Sequence, residues 1–267
     1  MKEIPDFFAK SNLFIALGAA SLVVGAFSAF QLSVDWSLSG FVFFATLFTY
    51  NFQRRIGDLR ADRHYSKTEW TFMAIGLAGM SWLSFELETI QLPFLIFSGI
   101  LSILYAYPII PAKRGKVSLR QLPYLKLWLI VIVWIIGTSV PPLVSAVPAG
   151  EILLYALMQG ALVAALTIPF DLRDMDVDLP EQRTIPQLFG VKGSKIIALA
   201  MLLISLFLCV AMSFQDFLSF SIFFDHLVVS VISAVLILTA TPARPDLFFS
   251  LLIDGMLLLQ GVLFWLI

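Results

Sequence analysis

Thr167-Ile-Pro-Phe-Asp-Leu-Arg-Asp-Met-Asp-Val-Asp178 closes a long apolar run with four aspartates in eight residues. The chain around it is 60% hydrophobic and only 13% charged, so this density of acid is an exception that needs a cause. Asp171, Asp174 and Asp178 are spaced i, i+3, i+7 and would project from one face of a helix, whereas Asp176 points elsewhere. Clustered carboxylates repel one another unless a cation sits among them. An all-oxygen donor set suits Mg²⁺, which commonly holds phosphate groups as well.

The run that precedes this cluster is one of several. Mean hydropathy is +0.94, 25 residues are Phe, and apolar stretches long enough to cross a bilayer recur throughout. Nine candidate spans are read: about 11–31, 36–53, 69–87, 89–110, 124–146, 151–170, 193–214, 219–240 and 246–267. Glu69, Glu86 and Glu88 fall at the ends of the third, where a carboxylate stays wet. The expected fold is therefore an all-α integral membrane bundle of nine transmembrane helices, with residues 1–267 forming a single transmembrane domain. Met1–Lys10 is mixed in charge and the run after it exceeds the length of a signal-peptide core, so no cleavable signal is expected. Cys209 is the only cysteine, which excludes a disulfide framework and a Cys-x-x-Cys metal site.

With nine spans, the N-terminus and the loops after spans two, four, six and eight share one side. That side receives all 17 Lys and Arg residues. The positive-inside rule then places the N-terminus and these loops in the cytoplasm and the C-terminus outside, as expected for a bacterial inner-membrane protein.

Three of the cytoplasmic loops are dense in charge. Asn51-Phe-Gln-Arg-Arg-Ile-Gly-Asp-Leu-Arg-Ala-Asp-Arg63 carries Asp58 and Asp62 at i, i+4, with Arg55 on the same face. It reads either as a solvated, salt-bridged helix end or as a second metal-facing pair with arginine for phosphate. The loop after span four carries Lys113, Arg114 and Lys116, suited to anionic lipid or to a diphosphate, and Lys126 lies at the mouth of span five. His226, beside Asp225 in span eight, reads as a polar contact between helices. Asp254, inside span nine, is either a functional acid or a hydrogen bond between helices, and the second reading is preferred.

In helix count, topology and motif placement the whole chain resembles the UbiA superfamily of intramembrane prenyltransferases. The second Asp-rich motif of that family runs D-x-x-D-x-x-x-D and continues into a Thr-Leu-Pro-like segment and a Gly. Asp171, Asp174 and Asp178 match it, as do Arg183-Thr184-Ile185-Pro186 and Gly190, with one residue fewer between Asp178 and Thr184. Tyr105–Pro108 and the stretch from Leu119 to Lys126 resemble the loop between the fourth and fifth helices of the family. The first motif, N-D-x-x-D-x-x-x-D, departs. Aligned on Asn51, its Asp positions fall on Phe52, Arg55 and Leu59; aligned on Asp58 and Asp62, Arg54 and Arg55 replace the Asn and first Asp.

The resemblance implies a Mg²⁺-dependent transfer of a prenyl group from prenyl diphosphate to an aromatic or lipid-like acceptor, in contact with membrane lipid and without nucleic acid. It implies Asp171, Asp174, Asp178, Asp58 and Asp62 as catalytic metal ligands, and Asn51, Arg55, Lys116 and Lys126 as diphosphate-binding residues. The degenerate first motif also fits a non-catalytic isoprenoid-binding protein. Asp225, His226 and Asp254 facing a through-going cavity would instead indicate a transporter.

Overall fold

The computed structural model describes residues 11–60, 67–112 and 115–267, and only the backbone of residues 57–60, 67–68 and 112. Among the described residues nine helices follow one another: α1 (Leu13–Ala29), α2 (Trp36–Arg60), α3 (Lys67–Leu83), α4 (Leu92–Ala106), α5 (Leu125–Trp134, prolonged by a π-turn over Ile135–Ser139), α6 (Ala149–Arg173), α7 (Ile185–Phe214), α8 (Phe220–Thr239) and α9. The last begins as a π-helix, Phe248–Ile253, and continues as Gly255–Trp265. Four of them, α6 to α9, are long and apolar enough to cross a membrane by themselves; α1, α4 and α5 are shorter apolar helices. A short antiparallel hairpin, β1 (Ile110–Ala112) with β2 (Gly115–Val117), interrupts the loop between α4 and α5.

The helix ends follow from local chemistry. α2 runs past the end of its apolar stretch through Gln53–Arg60, where Gln53, Arg54, Arg55, Leu59 and Arg60 are good helix formers that need no lipid. α5 ends before Pro141-Pro142, which cannot continue it. α7 opens on Thr184-Ile-Pro-Gln187: Pro186 occupies its first turn, and the Gln187 Oε1 accepts the Thr184 N–H at 3.0 Å. Gly190 bends α7 with φ +65°, a conformation that a side chain would oppose.

α6 is the central helix. Most of its length is buried inside the bundle, while α7 and α8 keep much of their surface outward. It packs most extensively on α7, as α1 does on α9 and α2 on α3. The outward faces carry Phe207, Phe214, Phe224, Val231 and Leu238, all exposed, which is the surface of a protein whose solvent is lipid. Packing between α1 and α9 depends on small residues, since a Cβ on Gly261 would lie 2.1 Å from the Ser21 carbonyl oxygen and one on Gly25 would lie 3.0 Å from Gly261 Cα. Gly261→Ala must push the two helices apart. It is expected to lower stability by about 1–3 kcal/mol, seen as a lower thermal unfolding midpoint in detergent, whereas Gly150→Ala, which meets open space, should leave it unchanged.

Candidate functional site: an acidic cluster clasped by a lysine

α6 ends where the Asp174 N–H reaches the Phe170 carbonyl, but the chain keeps its helical sense for another turn. The Asp174 carbonyl accepts the N–H groups of Val177, at 2.9 Å, and Asp178, at 2.8 Å. Asp171, Asp174 and Asp178 are thereby delivered to one side, and Asp176 is exposed on another. The Gln187 Nε2 ties this turn to the start of α7 by donating to the carbonyls of Asp178 and Leu179.

The cation among these acids is Lys126, from the first turn of α5. Its Nζ lies 2.6 Å from Asp178 Oδ2, 2.9 Å from Asp171 Oδ1 and 3.9 Å from Asp174 Oδ2. Asp171 is 1% exposed, so its charge has no water to solvate it and the ammonium must supply that solvation. Asp174 has a second cation. Arg173 donates to both its oxygens, through Nε at 2.7 Å and Nη2 at 3.2 Å, and stacks over Phe170 and Phe249. Arg173 also reaches Asp246, in the loop before α9, at 3.7 Å. Three carboxylates against two cations leave the cluster net negative.

Two charged loops are knitted together over this cluster. The Tyr124 N–H donates to the Gln182 carbonyl at 2.9 Å, the Gln182 Nε2 to the Arg120 carbonyl at 3.3 Å, and Arg183 Nη1 to the Tyr124 hydroxyl at 2.7 Å. These bonds fix the first turn of α5, and Lys126 with it, against the end of α6.

The cluster opens into a cavity of about 190 Å³ whose wall includes Tyr50, Gln53, Tyr105, Lys126, Asp171, Arg173, Asp174 and Asp254. A second cavity, about 410 Å³, abuts it. This one is mainly apolar and carries no charged side chain, lined from α2, α4 and α5 by residues such as Phe41, Phe48, Leu95, Ile96 and Ile103. Tyr50 and Trp134 line both and form the partition between them. Ile96 and Ile103 are also exposed on the outer surface, so the apolar cavity reaches the lipid-facing side.

The sequence-derived candidates divide. Asp171, Asp174, Asp178 and Lys126 come together. Asn51 is fully buried and lines neither cavity; its Nδ2 holds the carbonyls of Ser11 and Leu47 at 3.1 and 2.8 Å. Arg55 places its guanidinium 5.5 Å from the centre of the Trp70 ring. Lys116 sits exposed on β2, opposite Pro111. Asp58 is on the last turn of α2, where only the backbone is described, and Asp62, like His64, Lys113 and Arg114, lies outside the described residues. The cavity wall adds Tyr50, Gln53, Tyr105, Arg173 and Asp254. The Gln53 Nε2 donates to the Ser102 carbonyl, so a neutral amide takes a place on the α2 side of the cavity. The i, i+3 spacing of Tyr50 and Gln53 was the available signal.

His226 is the helix-to-helix contact that its sequence setting indicates. Ser205 Oγ donates to the Met158 carbonyl at 2.7 Å, so His226 Nε2 donates to Ser205 at 2.9 Å and Nδ1 accepts from Gln260 Nε2 at 3.2 Å. Neither His226 nor Asp225 lines either cavity. The preferred reading of Asp254 needs correcting: it faces the smaller cavity, and among the described residues its carboxylate makes no hydrogen bond to another helix.

In chemistry the cluster fits a hard divalent cation, since its donors are all carboxylate oxygens. In arrangement the central place belongs to the Lys126 ammonium, and among the described residues no group of three His, Cys, Asp or Glu side chains converges on a metal position.

This is a helical integral membrane protein with an acid–cation site at the end of its central helix, beside an apolar chamber. Its fold is similar to that of solved UbiA homologues and of a further membrane-embedded synthase. A UbiA homologue from Aeropyrum pernix K1, in its apo form, aligns with 92% of this chain and 95% of its own at 18% identity and a TM-score of 0.64. A UbiA homologue from Archaeoglobus fulgidus, bound to Cd²⁺, covers 97% of this chain and 98% of its own at 11% identity, with the same TM-score of 0.64. Digeranylgeranylglyceryl phosphate synthase covers 100% and 98% at 14% identity and a TM-score of 0.59. No protein-family model and no curated protein matches the sequence.

Proposed function

We propose that this single-domain protein is a Mg²⁺-dependent intramembrane prenyltransferase, moving a prenyl group from its diphosphate to an aromatic or lipid-like acceptor. The observation that carries the reading is the abutment of the two cavities. A charged chamber of about 190 Å³ is too small for a whole prenyl diphosphate but suits a head group. The apolar cavity of about 410 Å³ lies within the usual size of a small-molecule site and suits the chain. Its contact with the lipid-facing side offers a hydrophobic substrate a way in that does not pass through water.

The net negative cluster supports the metal. A diphosphate would be repelled by it unless a further cation joined. Asp171, Asp174 and Asp178 would hold Mg²⁺, and Asp58 and Asp62 are proposed as further ligands to it. When bound, that ion supplies charge that stabilises the departing diphosphate. Lys126 and Arg173 are poised at the same mouth to turn from carboxylate to phosphate, with Arg55 and Lys116 as more distant contributors. The reading places the N-terminus and charged loops in the cytoplasm, where Mg²⁺ and diphosphate are found, and the chain in a bacterial inner membrane.

Gly99 tests the assignment of the apolar cavity. It lines that cavity, and a Cβ there meets nothing within 4 Å. Gly99→Phe is expected to fill the space without unfolding the bundle. In a competition between labelled geranyl and geranylgeranyl diphosphates, the variant should lose the longer chain by roughly tenfold or more, the usual worth of several buried methylenes, while keeping the shorter. Equal loss of both, or of neither, counts against a prenyl chamber.

A further inference from the structure

Asp254 is an acid at membrane depth that the diphosphate chemistry above does not use. It is set by an irregularity of α9. The Asp254 N–H bonds to the Phe249 carbonyl, five residues back, at 3.1 Å, and the helix returns to regular geometry only from Gly255. Such π-turns shift the residues that follow around the helix and recur at functional sites. Here the shift coincides with Asp254 entering the wall of the smaller cavity.

The same wall holds Lys126 and Asp171, so Asp254 belongs to the reaction chamber and not to a separate pore. Its carboxylate has no hydrogen bond or ion pair among the described residues, although Arg173 acts on it electrostatically. Lys126 and Arg173 are already committed to Asp171, Asp174 and Asp178. Asp254 is half-buried, and the same wall carries Ile15, Tyr50, Trp134 and Leu257, so one strong acceptor shares apolar and aromatic surface and has no bonded donor among the described residues. The complement of such a place is a small molecule with an apolar or aromatic body and one O–H.

We infer that Asp254 is the acceptor-docking residue, accepting a hydrogen bond from a hydroxyl group on the molecule that receives the prenyl chain. This deepens the transferase reading and rests on it for the word acceptor; the hydroxyl site itself is measurable without turnover.

The probe is 4-fluorophenol, with 4-fluorotoluene as its hydroxyl-free counterpart, followed by fluorine NMR on protein in nanodiscs, with empty nanodiscs subtracted. Wild-type protein should bind the phenol about tenfold more tightly than the toluene, the upper end of what one hydrogen bond contributes. Asp254→Leu should erase that preference, and Asp254→Asn, which keeps an acceptor oxygen, should retain most of it. No preference in the wild type, or the same preference in Asp254→Leu, overturns the inference; the wild-type comparison decides it even where the leucine variant fails to fold. A phenol preference that depends on Asp254, in protein that releases no diphosphate from geranylgeranyl diphosphate, would sink the transferase reading and leave the hydroxyl site standing.

Discussion

Lys126→Met is expected to be among the most damaging single substitutions in the chain. Its Nζ lies within 4.0 Å of Asp171, Asp174 and Asp178, with Lys126 12% exposed and the Asp171 side chain 2% exposed. Methionine keeps the length and apolar stem of lysine and removes only the charge, so packing on α5 is preserved. What remains is a group of carboxylates facing one another where water has little access. Removing one partner of such a buried arrangement costs about 3–5 kcal/mol, which should appear as a clearly lower thermal midpoint in detergent. The same reasoning gives a second readout. Mg²⁺ can occupy the place that the ammonium leaves, so the midpoint of Lys126→Met should rise with millimolar Mg²⁺ more than that of the wild type. A variant as stable as wild type, with or without Mg²⁺, would mean that the clasp does not hold the site together.

Asp174→Ala should act on function and little on stability. Its side chain is 32% exposed, and its main partner, Arg173, retains Phe170, Phe249 and Asp246 when it is gone. In the proposed reaction Asp174 is both a metal ligand and the anchor that orients Arg173 at the cavity mouth. Loss of such a pre-organised group lowers turnover by roughly 10²–10³-fold, measured as diphosphate release from a prenyl diphosphate. Asp176→Ala is the matched control, because Asp176 is exposed on the other side of the same turn. Equal rates in both variants would remove the acidic cluster from the chemistry.

Much of this molecule is legible from its sequence, for a physical reason. A chain in lipid must satisfy its backbone locally, so apolar run length maps directly onto helices. The nine spans anticipated from hydropathy correspond in order to the nine helices of the described residues, although α2 and α7 extend beyond their apolar stretches into more polar sequence. The i, i+3, i+7 spacing of Asp171, Asp174 and Asp178 is local information and needs only one helical turn to be realised. Lys126 was a candidate at the mouth of span five, but its clasp on those acids depends on the loop bonds between Tyr124, Gln182 and Arg183, which span about sixty positions of sequence and leave no periodic trace. Asp254 shows the same limit. Hydropathy marks it as anomalous, whereas its entry into the cavity depends on a π-turn, which has no simple residue signature. Asn51 carries the reverse lesson: it aligns with a motif position, yet here its side-chain amide fastens the carbonyls of Ser11 and Leu47.

The most direct test of the transferase reading uses purified wild-type protein in nanodiscs with geranyl, farnesyl and geranylgeranyl diphosphates and a lipid extract as acceptor source. Diphosphate release is followed with Mg²⁺ and with EDTA. The expected result is release that requires Mg²⁺ and falls to background in folded Asp174→Ala. Mg²⁺-dependent binding of these diphosphates without release at any chain length would contradict it, and would identify the protein as an isoprenoid-diphosphate binder on a prenyltransferase fold.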